Sequence, residues 1–220
     1  MTTVVPKAPV PGIRTLMDRC NEAFAYSTNV LIRDSGILDL RSLAHVHEIP
    51  LPPVGAKPLG PTAPPMKPVT IADLQDATVT GVLVDHGICF PSYAFRFDTP
   101  HGSVVFSGDT ALCDNVVTLA KGADVLVHEA VDLAFFQGEG FSKTLLAHLT
   151  SSHTDISAVP SVAQAAGVPV VIVTHLAPGS FVTNAQWLAA AQAGAKKAGY
   201  TGKIVIGEDL TRFDLRGNAL

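Results

Sequence analysis

Four short runs of aliphatic, mostly β-branched residues, each ending on a histidine or a carboxylate, constrain this chain more than any other feature. They are Val82–His86 (VLVDH), Val104–Asp109 (VVFSGD), Val125–Glu129 (VLVHE, with His128 beside the carboxylate) and Val171–His175 (VIVTH). Runs of this length and composition read as buried strands. A charge at the tip of a buried strand is costly unless something pairs with it, and a metal ion is one such partner. Strands running one way through a sheet deliver their C-terminal ends to a single rim, where the sites of layered α/β folds gather. One such ending carries little information. Four between residues 82 and 175, with His153 in a loop before a helix as a fifth group, point to a site. Imidazole and carboxylate together suit zinc, iron or manganese, and no cluster of cysteines marks a structural zinc site.

The rest of the chain frames that rim. Residues 13–25 (IRTLMDRCNEAFA) place Leu16, Met17, Cys20 and Phe24 near one helical face. Residues 50–68 hold half of the chain's 16 prolines, which excludes a regular helix or a central strand and predicts an extended loop. From about residue 70 short apolar runs alternate with helical ones. Residues 78–86, 92–100 and 102–109 read as strands, 114–122 as a short helix closed by Gly122, 123–130 as a strand, and 151–167 as a loop and helix. Residues 168–175 read as a buried strand, 184–199 as a helix with Asn184 as N-cap and Gly199 as C-cap, and 203–215 as a hairpin. A single α/β (α+β) domain over residues 1–220 is the expectation.

Composition excludes several function classes. With 47% hydrophobic and 15% charged residues the chain has the material for a core. Its net charge of −4 gives no general attraction to nucleic acid or to an anionic membrane. Three dispersed cysteines (Cys20, Cys89 and Cys113) fit free thiols better than a disulfide framework. No apolar run is long enough to span a membrane, and MTTVVPKAPVPG lacks a leader pattern, so a cytoplasmic location is expected.

Each candidate also has a bland reading. A lone histidine at a strand end is more often a hydrogen-bonded rim residue than a ligand, and SGDT alone reads as a turn. His45 and His47 form an H-x-H pair, but Glu48-Ile49 runs from it straight into proline with no Asp-His following. His101 in a turn and His148 read as exposed, and Cys113 as packed in the following helix.

The ordered series DHG…YAFRFDT, VVFSGDTA, DVLVHEA, SSHTD and VIVTHLAP resembles the metallo-β-lactamase superfamily, within it the ribonuclease Z and arylsulfatase-like branch, over roughly residues 70–215. The resemblance implies a four-layer αββα sandwich with a two-metal, usually zinc, site at one edge. It implies His86, Asp109 and His175 as metal ligands, Asp109 bridging two ions, and Glu129 with His153 as the pair that protonates the leaving group. Manganese and iron are the alternatives to zinc.

The chain departs from the family pattern in two places. The signature H-x-H-x-D-H has no match upstream of His86, so the domain reads as N-terminally incomplete, with at most one tightly held ion and little activity expected of the chain alone. A homo-oligomer, or a missing N-terminal half, is the expected complement. Only residues 87–108 separate His86 from Asp109, where enzymes that process tRNA often carry a long inserted arm, and there is no basic run. The expectation is therefore a metal-dependent hydrolase of a small ester, sulfate ester or phosphodiester. A ribonuclease Z-type tRNA 3′-processing enzyme is the alternative, with nucleic acid the less favoured partner, and a non-catalytic binding remnant is the other reading.

Overall fold

A computed structural model describes residues 12–220, apart from the side chain of Leu40. The N-terminal stretch read for a leader falls largely on residues 1–11, outside the described residues. Two compact units divide the chain, Met1–Leu51 and Pro52–Leu220.

In the first unit, α1 (Ile13–Ser35) runs ten residues beyond the segment expected from periodicity. It stops where Gly36 adopts a left-handed conformation (φ 61°) and its N–H bonds Ile32 O, a common way for a helix to end.

The second unit is built on one mixed sheet of seven strands in chain order. These are β1 (Val69–Leu74), β2 (Ala77–His86), β3 (Cys89–Thr99), β4 (Gly102–Phe106), β5 (Val125–Val131), β6 (Val170–Ala177) and β7 (Lys203–Ile206). β1 to β4 pair antiparallel and β4 to β7 parallel. Parallel neighbours need crossovers, and helices supply them: α2 (Asp114–Ala120), then α3 (Leu133–Gly138), α4 (Lys143–Ser152) and α5 (Val159–Ala166), and finally α6 (Asn184–Ala198). Two antiparallel steps separate β2 from β4, so both run the same way as β5 and β6. Their C-terminal ends therefore meet at one rim, and that places the site.

Strand alternation assigns the two faces. Val82, Val84, Ala94, Val105, Leu126, Val171 and Val173 face a core completed by α2, α5 and α6, including the fully buried Trp187 and Ala191. Val104, Val125, Val127, Val170, Ile172 and Val205 face the other way, where Phe213 and Leu215 of the C-terminal segment pack on them. Phe97 and Phe106 meet edge to face on that side at 5.8 Å and stay more than a third exposed. The α/β architecture is the expected one. Of the four layers the resemblance implies, the described residues of this unit build one sheet and one helix layer.

Two local expectations need correction. The end of the chain is not a hairpin: β7 is a parallel edge strand, and residues 207–220 return irregularly with one bridge, Phe213 to Ala219. The α6 cap is Thr183 rather than Asn184, because Thr183 and Gln186 satisfy each other's backbone N–H groups in a capping box. Helices α3 and α4 fill a stretch that carried no clear period, and Pro160 sits in the first turn of α5, where a missing N–H costs nothing. The proline-rich segment is extended, as expected, and it is anchored. Buried Asn115 donates to Pro64 O and Leu83 O (both 2.9 Å) and accepts from Met66 N–H (3.1 Å), tying the segment to β2 and α2.

Candidate metal centre

Each group at the rim is aimed by a backbone device. The β2–β3 register shifts between Val84 and His86, and the β5–β6 register shifts so that His175 is left unpaired. Such bulges re-aim a side chain. His175 has φ 46°, a left-handed conformation rare outside glycine, and strained residues of this kind gather at functional sites. Asp109 follows Gly108 (φ 59°), where a Cβ would lie 2.7 Å from Tyr93 O, so only glycine lets this turn lie against β3. Ala111 N–H then bonds Asp85 O (2.7 Å), binding the turn to the end of β2.

Glu129 is the most deeply held of the five. It is 2% exposed, and its Oε1 accepts the N–H groups of Thr110 (3.1 Å) and Thr154 (2.9 Å). Thr154 Oγ1 donates to Thr110 O (2.7 Å), and a bridge from Asp155 to Val131 fixes the 153–156 segment beside β5. His153 ends α4, its N–H bonded to Leu149 O, and its Nδ1 faces Glu129 Oε1 at 3.4 Å. That is long for a hydrogen bond. Neither His153 Nδ1 nor Glu129 Oε2 has a hydrogen-bond partner among the described residues, although both atoms are buried.

The structure brings His86, Asp109, Glu129, His153 and His175 together. Asp109 Oδ2 lies 3.8 Å from His86 Nε2 and 3.6 Å from His175 Nε2. His153 stands among the other site histidines. Its ring lies between the other two imidazoles, 5.3 Å from His86 and 5.7 Å from His175, nearly parallel to the latter. Among the described residues, two trios have ligand atoms within 4.8 Å of one another: His86, Asp109 and His153, and Glu129, His153 and His175. The donor chemistry and the underused buried atoms fit a divalent cation.

Burial, opposed by the charge of Asp109, pulls His86 below the usual imidazole range. His153 is raised, first by its contact with Glu129, against the opposing effect of burial. His128 points away from the site; its Nδ1–H donates to Glu129 O (2.7 Å), and full burial lowers its pKa.

His148 lies near the site. It is exposed, as expected, but its ring meets His153 edge-on at 6.3 Å and its charge acts on His86. The signal available was its i, i+5 spacing from His153 across an unrecognised helix end. His45, His47 and His101 are exposed, and Cys113 is the N-cap of α2 rather than part of its interior.

Ribonuclease Z from Mycobacterium tuberculosis (strain H37Rv) is 29% identical over 147 residues, which cover 65% of this chain and 50% of the relative. Ribonuclease Z from Mycobacterium sp. (strain KMS) is 30% identical over 168 residues, 70% of this chain and 54% of the relative. The chain thus spans about half the length of these relatives. Among solved structures, the metallo-β-lactamase fold protein YhfI from Bacillus subtilis covers 70% of this chain and 52% of its own, with a TM-score of 0.47 and 18% identity. No family model matches the chain.

Proposed function

Because this chain belongs to the metallo-β-lactamase superfamily, in its ribonuclease Z branch, we infer that it carries metal-dependent hydrolase chemistry directed at an RNA phosphodiester, of the kind that trims the 3′ end of a tRNA precursor. The observation that carries the reading is the convergence of His86, Asp109 and His175 around one carboxylate oxygen, with buried Glu129 and half-buried His153 beside them.

His86, His175 and Asp109 would hold a cation here, through two imidazoles and a carboxylate whose two oxygens could each serve an ion. A divalent ion held there supplies a Lewis acid and lowers the pKa of a water towards about 7. His153, its pKa raised first by its contact with Glu129, can give a proton to the departing oxygen. Glu129, locked by two backbone N–H groups, fixes which way that ring faces.

The order of substrates differs from the expectation drawn from charge and spacing. The short 86–109 interval and the absence of a basic run argued for a small ester. The sequence relatives are ribonucleases Z, and net charge averages over a surface without describing the local field at one rim. The test is turnover by the zinc- or manganese-loaded protein on a 3′-extended tRNA transcript, an aryl sulfate and an aryl ester. Asp109→Ala should abolish whatever cleavage is seen, and that cleavage should fall on the RNA. Asp109-dependent hydrolysis of the ester or sulfate, with the RNA untouched, overturns the substrate assignment.

A further inference from the structure

The loops that leave β5 and β6 carry a row of aromatic rings. β5 runs past Glu129 to Val131 and passes through Asp132 into α3, which holds Phe135 and Phe136. β6 runs past His175 to Ala177 and ends in a short turn, Gly179–Phe181. Asp132 N–H bonds Ala177 O (2.9 Å), which ties the two loops together at the strand ends. The rings of Phe181 and Phe135 stand 6.3 Å apart, those of Phe135 and Phe136 5.6 Å, and those of Phe136 and Phe141 5.2 Å. The four therefore form one continuous row on the side of the rim that carries Glu129 and His175.

The outer rings of the row are open to solvent, with Phe181 80% and Phe141 44% exposed. The backbone under Phe181 is nonetheless fixed. Phe135 beneath it packs on the main core, and the adjacent Val182 is buried in that core, its N–H bonded to Gly179 O (3.2 Å). A phenyl ring held in water forfeits the burial that a ligand can restore. Charge does little here: residues 133–152 contain one lysine, Lys143, and one acid, Glu139, and the chain as a whole carries −4. Asp132 is turned inward, where its Oδ1 accepts Phe135 N–H (2.9 Å). Phosphate contacts are therefore a weak handle for RNA on this side of the rim. An unpaired strand offers another, because every base has a π-face that stacks on an aromatic ring without any positive charge.

We propose that Phe135, Phe136, Phe141 and Phe181 form a stacking platform for the unpaired nucleotides of an RNA substrate, holding them beside the rim by their bases rather than their phosphates. The proposal rests on the reading of this rim as acting on an RNA phosphodiester and deepens it. The platform selects unpaired ends over paired ones, with little regard to sequence.

Fluorescence anisotropy of the full chain, in EDTA to prevent cleavage, tests this with a short oligoadenylate, an abasic oligoribonucleotide of the same length and a blunt RNA duplex. The oligoadenylate should bind more tightly than either of the others. Phe181→Ala and Phe181→Leu, both at an exposed position, should each weaken its binding about 10-fold, as loss of one stacked base does, and Phe181→Trp should keep it. The slope of log affinity against log salt should be no steeper than about −1.4, the value for two phosphate contacts on a single strand. Equal affinity for the abasic strand, or unchanged affinity in both Phe181→Ala and Phe141→Ala, overturns the platform. Asp109-dependent cleavage of the 3′-extended tRNA with KM unchanged in those two variants overturns it while leaving the RNA reading in place. Asp109-dependent ester hydrolysis by a wild-type chain that binds none of the three RNAs overturns both.

Discussion

At the scale of single residues, the identities at the rim were legible because an apolar run ending in a titratable side chain is costly without a partner. Their directions were not. Nothing in VIVTH announces that His175 adopts φ 46°, and nothing in SSHTD places the His153 ring between two other imidazoles. Two predictions at this scale are independent of any ion. Gly108→Ala and Gly122→Ala both force a left-handed alanine, but a Cβ at 108 meets Tyr93 O whereas a Cβ at 122 meets open space. Urea denaturation should show a loss of about 1 kcal/mol at 122 and nearer 3 kcal/mol at 108. Equal losses would mean that the Tyr93 contact yields freely. His128 is buried neutral, its pKa below the unfolded value of about 6.5. Between those two values the unfolded chain binds the extra proton, so this contribution to stability is present above pH 6.5 and lost as pH falls through the folded value. The slope approaches about 1.4 kcal/mol per pH unit for one proton. His128→Asn keeps a donor for Glu129 O without a titrating group, so its stability should fall less between pH 7 and pH 5 than that of the wild type. Parallel pH profiles would rule His128 out as the acid-sensitive group.

At the scale of elements, the strands were legible and the pieces between β5 and β6 were not. β2, β4, β5 and β6 announce themselves as β-branched runs buried by a helix layer, a pattern with few other readings. Residues 133–152 hold two short helices whose apolar residues are mostly half-buried, and each is too short to show a sustained 3.6-residue period. The proline-rich segment shows a different limit. Composition predicts its extended shape, but its attachment depends on Asn115, one polar residue in a short helix. Asn115 is 3% exposed, and its amide serves Pro64, Met66 and Leu83. Asn115→Ala strands those buried backbone groups, at roughly 1–3 kcal/mol for an unsatisfied partner. The expected result is a loss of that order in chemical denaturation, with protease cleavage appearing within residues 58–66. Full stability with an uncut segment would show that the prolines alone hold it in place.

At the scale of the whole molecule, the chain divides into two compact units at Leu51. Every site residue and every member of both core clusters lies after it, while α1 buries none of its own residues. An apolar period, as in residues 13–25, predicts a helix but does not say what the helix is packed against. Burial of apolar side chains is the main source of stability, and here it belongs to Pro52–Leu220. A fragment of residues 52–220 should therefore melt cooperatively within about 4 °C of the full chain, a shift equivalent to roughly 1–2 kcal/mol at this size. It should also bind zinc with unchanged affinity, because His86, Asp109, Glu129, His153 and His175 all remain. Calorimetric melting and zinc titration of that fragment check both statements. A broad, non-cooperative melt would show that residues 1–51 complete the folded unit. A cooperative melt with zinc binding lost would show instead that His45 or His47 belongs to the site.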